Sequence, residues 1–534
     1  MKVTNDFTMF DRSTKLQPQD LMNQMKISLV RVTLALLGAA IVFPPAPARA
    51  APAQPNIILV MPDDVGVGDY ACLGNPVIHT PSVDAFKKQS LAFTQFHVSP
   101  TCSPCRSSLL SGRHEFKNGV THTILERERM SLKTFTLAQM LKSTGYTTGI
   151  FGKWHLGDEE AYRPESRGFD EVYSHGGGGI GQTYPGSCGD APGNTNIDPA
   201  LWHNGTWEKT TGYCTDLFFA QATKWMDGAR SEKKPFFAYI PLNAAHGPHV
   251  VPKEYYQQYL GKPGVSEETA KFLGMVENID TNFGKMLATL REWGIEDNTL
   301  VIYFTGDNGG TAGKGIFNGG LHGGKGTPYQ GGTRATAFFR WPGGKIPAGV
   351  ECDALSAHLD IFPTLAELTG AKLSDEVKQQ VEGRSLLPLL TNPKAEWPDR
   401  TLVHHVGRWA KGNAADSKFR NSAIQNTRFT LVNNKELYDI KADPGETKNV
   451  IADHPDVVAS LRAAYDRWWG EVQPLLVNEN VIGLKMNPMK ELYWKQFGGG
   501  PDAKLLQRMN PNKKAAEDSE DPPLKRNRKR KTQP

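Results

Sequence analysis

Six cysteines in 534 residues are too few for a disulfide scaffold. Their spacings do not form a zinc motif either, which excludes a fold held by either device. In an oxidising compartment Cys188 and Cys214 can bridge across a Gly-rich loop, whereas Cys72 and Cys352 read as buried free thiols. Long hydrophobic runs are also scarce. The one marked run, Val32 to Phe43 behind Arg31, is shorter than the roughly 20 residues of a membrane-spanning helix. Prolines and Ala48-Arg49-Ala50 follow it, a small-x-small cleavage pattern, so residues 1–50 read as a signal peptide, with Met1 or Met25 as the start and an uncleaved anchor as the alternative. The mature chain is then expected to be secreted or periplasmic, with no integral membrane segment. Excess charge is missing too. The net charge is +5, but the stretch from Lys525 to Lys531 alone carries six positive residues, so the body is near neutral and no nucleic-acid role is expected of it. That basic tail reads as a solvated end or as a hold on a polyanionic polysaccharide.

Glycine and proline are abundant, 53 and 36 residues, beside a globular 39% of hydrophobic residues, and this composition implies many ordered loops. Four short apolar runs of strand length each end abruptly in polar residues. Asn56 to Met61 empties into Pro62-Asp63-Asp64, Gly145 to Gly152 into Lys153-Trp154-His155, Phe236 to Ile240 into Asn243-Ala244-Ala245-His246, and Thr299 to Phe304 into Thr305-Gly306-Asp307-Asn308. Helical patterns lie between and after them, at Thr134 to Ser143, Glu268 to Trp293 and Asp360 to Leu368. Alternation of this kind predicts an α/β fold, a mostly parallel sheet with helices on both faces, whose strand ends share one site. Beyond a polar linker near residue 395 the pattern changes. Short strands at Thr401 to His405, Ser422 to Leu431 and Glu436 to Ile440 precede a helix from Pro455 to Trp469, which predicts a small antiparallel sheet with one packed helix. The expected organisation is residues 51–395 as the catalytic domain, 396–475 as a small α+β domain, and 476–534 as an extension ending in a charged, disordered tail.

Asp63, Asp64, Asp307 and Asn308 are hard oxygen donors. Converging from two strand ends they suit Ca²⁺, with Mg²⁺ as the alternative, whereas Asp63-Asp64 alone fits a helix cap or a solvated turn equally well. Lys153 and His155 lie two apart and can point the same way on an extended segment, and His246 follows another strand end.

The stretch from Cys102 through Pro104, Arg106, Leu109-Leu110 and Ser111-Gly112-Arg113 resembles the signature of the type I sulfatases, arylsulfatase-like enzymes in which the leading Cys is oxidised to formylglycine. Gly152-Lys153-Trp154-His155-Leu156-Gly157 is similar to a second motif of that family, and the two aspartate strings are similar to its metal-binding segments. The resemblance runs from about Asn56 to Trp469. It implies an alkaline-phosphatase-like fold and hydrolysis of an aryl or carbohydrate sulfate ester. It also implies Ca²⁺ held by Asp63, Asp64, Asp307, Asn308 and the modified Cys102. Arg106 would brace the nucleophile, Lys153 and Lys325 would clamp the sulfate, His246 would protonate the leaving oxygen, and His155 would accept a proton as the aldehyde reforms. A formylglycine-generating enzyme is then a required partner, and a sulfated small molecule or carbohydrate the substrate. Cys105 stands where many members have Ser, and Gln330 and Ala335-Thr336 depart from the pattern after Lys325. His97 and His322, near motif residues, read as packing or orienting side chains. Leaving-group recognition is expected from His175, Gly176 to Gly179, Tyr184 and Trp202, and from the region of His405 and Trp409. The rival readings are a phosphatase or phosphonate hydrolase of related fold, and a sulfate-binding protein with a dead site.

Overall fold

The computed structural model describes residues 54–182, 189–484, 486–503 and 506. The signal peptide, Tyr184, Cys188 and the basic tail lie outside these residues.

Asn56–Met61 (β1) is a run of six buried residues whose side chains alternate between two cores: Ile57, Leu59 and Met61 enter one, Ile58 and Val60 the other. A strand buried on both faces belongs at the centre of a covered sheet. Around it stand Leu91–His97 (β2), Thr147–Lys153 (β3), Glu171–His175 (β4), Ala200–His203 (β5), Thr206–Lys209 (β6), Phe236–Pro241 (β7), Thr299–Phe304 (β8), Arg334–Arg340 (β9), Val350–Cys352 (β10) and Ser356–Ala357 (β11). The 11-stranded sheet runs β10-β2-β9-β8-β1-β7-β3-β4-β5-β6, with β11 beside β2. β8, β1, β7, β3 and β4 are mutually parallel, and β9 runs against both β8 and β2. The four strands that end in polar residues are therefore consecutive neighbours, and all four deliver those residues to one edge. Because β2 and β8 are each antiparallel to β9, β2 points the same way and brings Cys102 to that edge as well.

The expected helix from Thr134 starts later, at Leu137. Thr136 accepts a bond from the Gln139 amide at 3.2 Å, and the Gln139 side chain accepts one from the Thr136 amide at 2.9 Å, a reciprocal cap that fixes the start. The long helix spans Glu267–Glu292. Ser422 to Leu431 is two strands rather than one: Ser422–Gln425 (β13) and Phe429–Val432 (β14) flank a turn in which the Asn426 side chain accepts from the Arg428 and Phe429 amides. With Leu402–His405 (β12) and Glu436–Asp439 (β15) they form the small antiparallel sheet, covered by the helix Pro455–Val472.

Features with no expectation in the sequence include β2, β4, β9, the edge hairpin β5–β6, the helices Pro81–Lys88 and Cys214–Ser231, and a helix at Pro488–Phe497 that packs on β6. Among the described residues no helix is long and apolar enough to cross a membrane. Cys214 is a free, buried thiol, and Cys188, its expected partner, lies outside the described residues.

Candidate active site

Cys102 is the first residue of a ten-residue helix, Cys102–Ser111, every residue of which is buried. Its serines can be buried because each hydroxyl has a partner. Ser111 donates to the Ser107 carbonyl at 2.7 Å, Ser108 to Glu115 at 2.7 Å and Ser103 to the His155 carbonyl, while Ser107 accepts from Asn118 at 3.0 Å. Gly112, at φ +65°, ends the helix by donating to the Ser108 carbonyl. Burial pushes the Cys102 thiol up to about 11, against the pull of Lys153 and Lys325. The unmodified thiol is therefore protonated near neutrality.

One turn on, Arg106 is fully buried. Its Nη2 donates to Asp307 at 2.9 Å and lies 3.8 Å from Asp63, and its Nη1 donates to the Lys153 carbonyl at 2.9 Å. The guanidinium fork thus ties the ends of β1, β3 and β8 to the signature helix. Burial opposes its charge, but Asp307 and Asp63 raise its pKa overall.

Carboxylate oxygens of Asp63, Asp64 and Asp307 lie within 4.8 Å of one another, and those of Asp63 also group with Cys102 and His246. Asp307 accepts from the Asp64 amide at 3.2 Å, and Asn308 donates to Asp64 at 3.3 Å. Burial, then the neighbouring Asp63, pushes Asp307 up to about 6, and burial raises Asp63 as well. Burial works the same way on Asp64, yet Lys325 and His246 hold its carboxyl below the usual range. The buried atoms Asp63 Oδ1 and Asn308 Oδ1 have no hydrogen-bond partner. Crowded carboxylates with unpaired inward oxygens, and no soft ligand except Cys102, fit a divalent oxygen-loving cation.

Lys153 Nζ pairs with Asp63, and Lys325 Nζ with Asp64 at 2.8 Å, so each of the two lysines is held by one of the adjacent aspartates. Lys153 and His155 do not share an extended segment. The strand stops at Lys153 and the backbone reverses at His155, φ +59°, which turns the imidazole away to the Thr123 carbonyl, 2.9 Å from Nε2. With Nε2–H donated there, Nδ1 is left as an acceptor, and it is buried without a partner. Burial first, then Lys153, holds the His155 pKa well below its ordinary value. His246 Nδ1 donates to the Gly247 carbonyl at 2.7 Å, which leaves Nε2 facing Asp64 at 3.8 Å. Burial pushes His246 down to about 3, with Asp64 opposing.

All ten site residues expected from sequence thus come to one edge of the sheet. Missing from that expectation are Thr123, which orients His155, and Gln182, whose amide nitrogen lies 3.3 Å from His246 Nδ1. No motif marks either one. The expected recognition residues fare differently. Trp202 is buried against Trp207 and donates to Glu165 at 2.6 Å, and His175 is buried with its Nδ1 on the Gly176 carbonyl. His405 and Trp409 sit in the aromatic core of the small sheet with Phe116, Tyr465 and Trp469. Aromatic residues near a site are as readily core as cleft, and here they are core. His97 is buried against His404, and His322 stacks on Tyr329 with ring centroids 4.0 Å apart, both packing roles as expected. Gln330 ties the Lys325 segment to the C-terminal part of the chain, its amide donating to Glu446 at 2.8 Å and its side chain to Gln425 in β13 at 2.8 Å.

Comparison with known proteins agrees with this geometry. The sulfatase profile matches residues 55–371, and the C-terminal profile of N-sulphoglucosamine sulphohydrolase matches residues 324–466. Human arylsulfatase A is 31% identical over 453 residues, covering 76% of this chain and 86% of its own length. Mouse N-acetylgalactosamine-6-sulfatase is 31% identical over 390 residues, 67% of this chain and 70% of its own. The crystal structure of Ps i-CgsB in complex with k-i-k-neocarrahexaose superposes with a TM-score of 0.69 at 28% identity, covering 83% of this chain and 97% of that one. The chain belongs to the sulfatase family.

Proposed function

We propose that this sulfatase hydrolyses a sulfate monoester of a carbohydrate or aryl alcohol at the edge where β1, β3, β7 and β8 end, using Cys102 in its formylglycine form and a divalent cation. The observation that carries the reading is the convergence of Asp63, Asp64 and Asp307 on the buried N-terminus of the Cys102 helix, with oxygens of Asp63 and Asn308 left unpaired. Asp63, Asp64, Asp307 and Asn308 would hold Ca²⁺ or Mg²⁺, whose charge offsets that of the carboxylates and of the sulfate oxygens. The formylglycine, made by a separate maturation enzyme, supplies as its hydrate a hydroxyl nucleophile that a cysteine lacks.

The chain's own residues do the rest. Lys153 and Lys325 hold the sulfate from two sides, and their pairing with Asp63 and Asp64 keeps both ammonium groups aimed inward. Arg106 fixes the helix that carries residue 102. His246, with Nδ1–H held by the Gly247 carbonyl, turns Nε2 toward the departing alcohol and serves as its acid once protonated there, a charge that Asp64 at 3.8 Å favours. His155, neutral and with Nδ1 free, accepts the proton removed as sulfate is released.

A sulfated carbohydrate is the favoured substrate class. Support comes from the relatives named for N-acetylgalactosamine 6-sulfate and from the structural neighbour bound to neocarrahexaose. The apolar run before Ala48-Arg49-Ala50 supports export to the periplasm or beyond, where such polymers are met. Parallel turnover of an aryl sulfate and an aryl phosphate tests the reading. Sulfate is expected to be preferred by orders of magnitude, and a preference of that size for phosphate would overturn it in favour of a phosphatase.

A further inference from the structure

We propose that the segment from Asn487 to Phe497 is a positioning strap, which acts through Asp158 to press the glycine loop Gly176–Gln182 onto the two catalytic histidines. The inference rests on the roles just given to His155 and His246. The strap lies beyond the residues matched by either family profile.

Asp158 comes three residues after His155 and is buried. Its Oδ1 accepts from the Gly177 amide at 3.1 Å, and its Oδ2 from the Gly189 amide at 2.8 Å and from the Asn487 side chain at 3.0 Å. One carboxylate therefore joins the His155 segment, the start of the glycine loop, Gly189 and the strap. Asp190 repeats the device: it accepts from the Gly176 amide at 3.0 Å and the Gly181 amide at 2.8 Å, and its carbonyl accepts from Lys490.

No space separates these layers. A Cβ on Gly178 would lie 2.6 Å from the His155 ring, one on Gly176 would lie 3.2 Å from Met489, and one on Gly189 would lie 3.1 Å from Asn487. The far end of the loop reaches the other histidine. The Ile180 amide donates to Asn243 at 3.2 Å, three residues before His246, and Gln182 approaches His246 itself. The strap is fastened at its outer end to the edge hairpin. The Trp207 indole donates to the Met489 carbonyl at 3.0 Å, and the Gln496 amide group bridges the Trp207 backbone at 2.8 and 2.7 Å.

Asn487 plays two parts that substitution can separate. Its Oδ1 caps the helix by accepting from the Met489 amide at 2.9 Å, while its Nδ2 clamps Asp158. Ser keeps the cap and loses the reach, whereas Ala loses both. The test compares Asn487→Ser, Asn487→Ala and the milder, exposed Gln496→Ala in the full-length mature enzyme. Deuterium exchange is read on the peptide covering Gly176–Gln182, and kcat and KM are read on an aryl sulfate. Both Asn487 variants are expected to exchange faster in that peptide and to lose about tenfold in kcat with KM within about twofold. Gln496→Ala is expected to shift both readouts in the same direction by about two- to threefold. Wild-type exchange and kcat in Asn487→Ser would overturn the proposal, because the segment would then need only its helix cap. Faster exchange with unchanged kcat would overturn it too. Exchange does not require turnover, so a wild type inactive on every sulfate ester contradicts the site assignment while the exchange arm still decides the strap.

Discussion

At the scale of single residues, charge in a dry pocket is balanced pair by pair, so removing one partner exposes the other. Lys325 is the partner that holds Asp64 ionised against burial. Lys325→Ala is therefore expected to lower kcat/KM by about 10²–10³-fold, the usual range for a lost group that stabilises developing charge, with the fold intact by circular dichroism. Gly178→Ala places a methyl 2.6 Å from the His155 ring and is expected to cost at least about tenfold in kcat. The residues that carry this chemistry were legible as motifs, because their identities are demanded by chemistry whatever the backbone does. Their supports were not. Thr123 offers only a backbone carbonyl to His155, and a carbonyl leaves no trace in a sequence. Asp158 stood next to the hexapeptide ending at Gly157, but a carboxylate that binds amides looks in sequence like any exposed acid.

At the scale of elements, four apolar runs ending in polar residues revealed the parallel strands, since burial on both faces leaves no polar position inside such a strand. β2 escaped because Thr94 and Gln95 interrupt its apolar run, at the irregularity between Phe93 and Phe96 in its pairing with β9. The aspartate loops work only if the ends of β1 and β8 stay in close register. A Cβ on Gly306 would lie 1.8 Å from the Val65 carbonyl, so Gly306→Ala must drive these two loops apart. It is expected to weaken Ca²⁺ binding about tenfold or more, read by calorimetric titration. Chelation should likewise lower the melting temperature of the wild type, and added Ca²⁺ should restore it; no change on chelation would contradict a cation in the aspartate cluster.

At the scale of the whole molecule, the small sheet meets the catalytic body along a seam rich in histidine. A cavity of about 150 Å³ there is lined by Ser99, His114, Glu115, His358 and His404 among others. Burial pushes His114, His404 and His405 down to about 3 and His358 to about 4; Lys117, Arg113 and the neighbouring imidazoles also oppose their protonation, while Glu382 and Glu115 favour it. The unfolded chain takes up these protons near pH 6.5 and the folded chain does not. Stability is therefore full above about pH 7 and falls as pH drops below 6.5 toward the folded values, by up to about 1.4 kcal/mol per pH unit for each imidazole. Glu115, raised by burial, works the other way within the seam, as Asp69, Glu126, Asp190 and Glu446 do elsewhere. The melting temperature of His404→Gln relative to the wild type is therefore expected to rise as pH falls from 7 to 5; parallel profiles would contradict the seam's part in acid sensitivity. The small sheet itself was foreseeable from its alternating strands. Its docking was not, because His405 and Trp409 read equally well as cleft or core until their aromatic neighbours are known.

All three scales meet at residue 102, and mass spectrometry of the peptide that bears it, from active enzyme made in the native host, tests the account most directly. The account predicts the mass of formylglycine in place of cysteine, with the modified fraction proportional to sulfate-ester turnover across preparations. Full turnover from protein in which Cys102 is wholly unmodified thiol would contradict it.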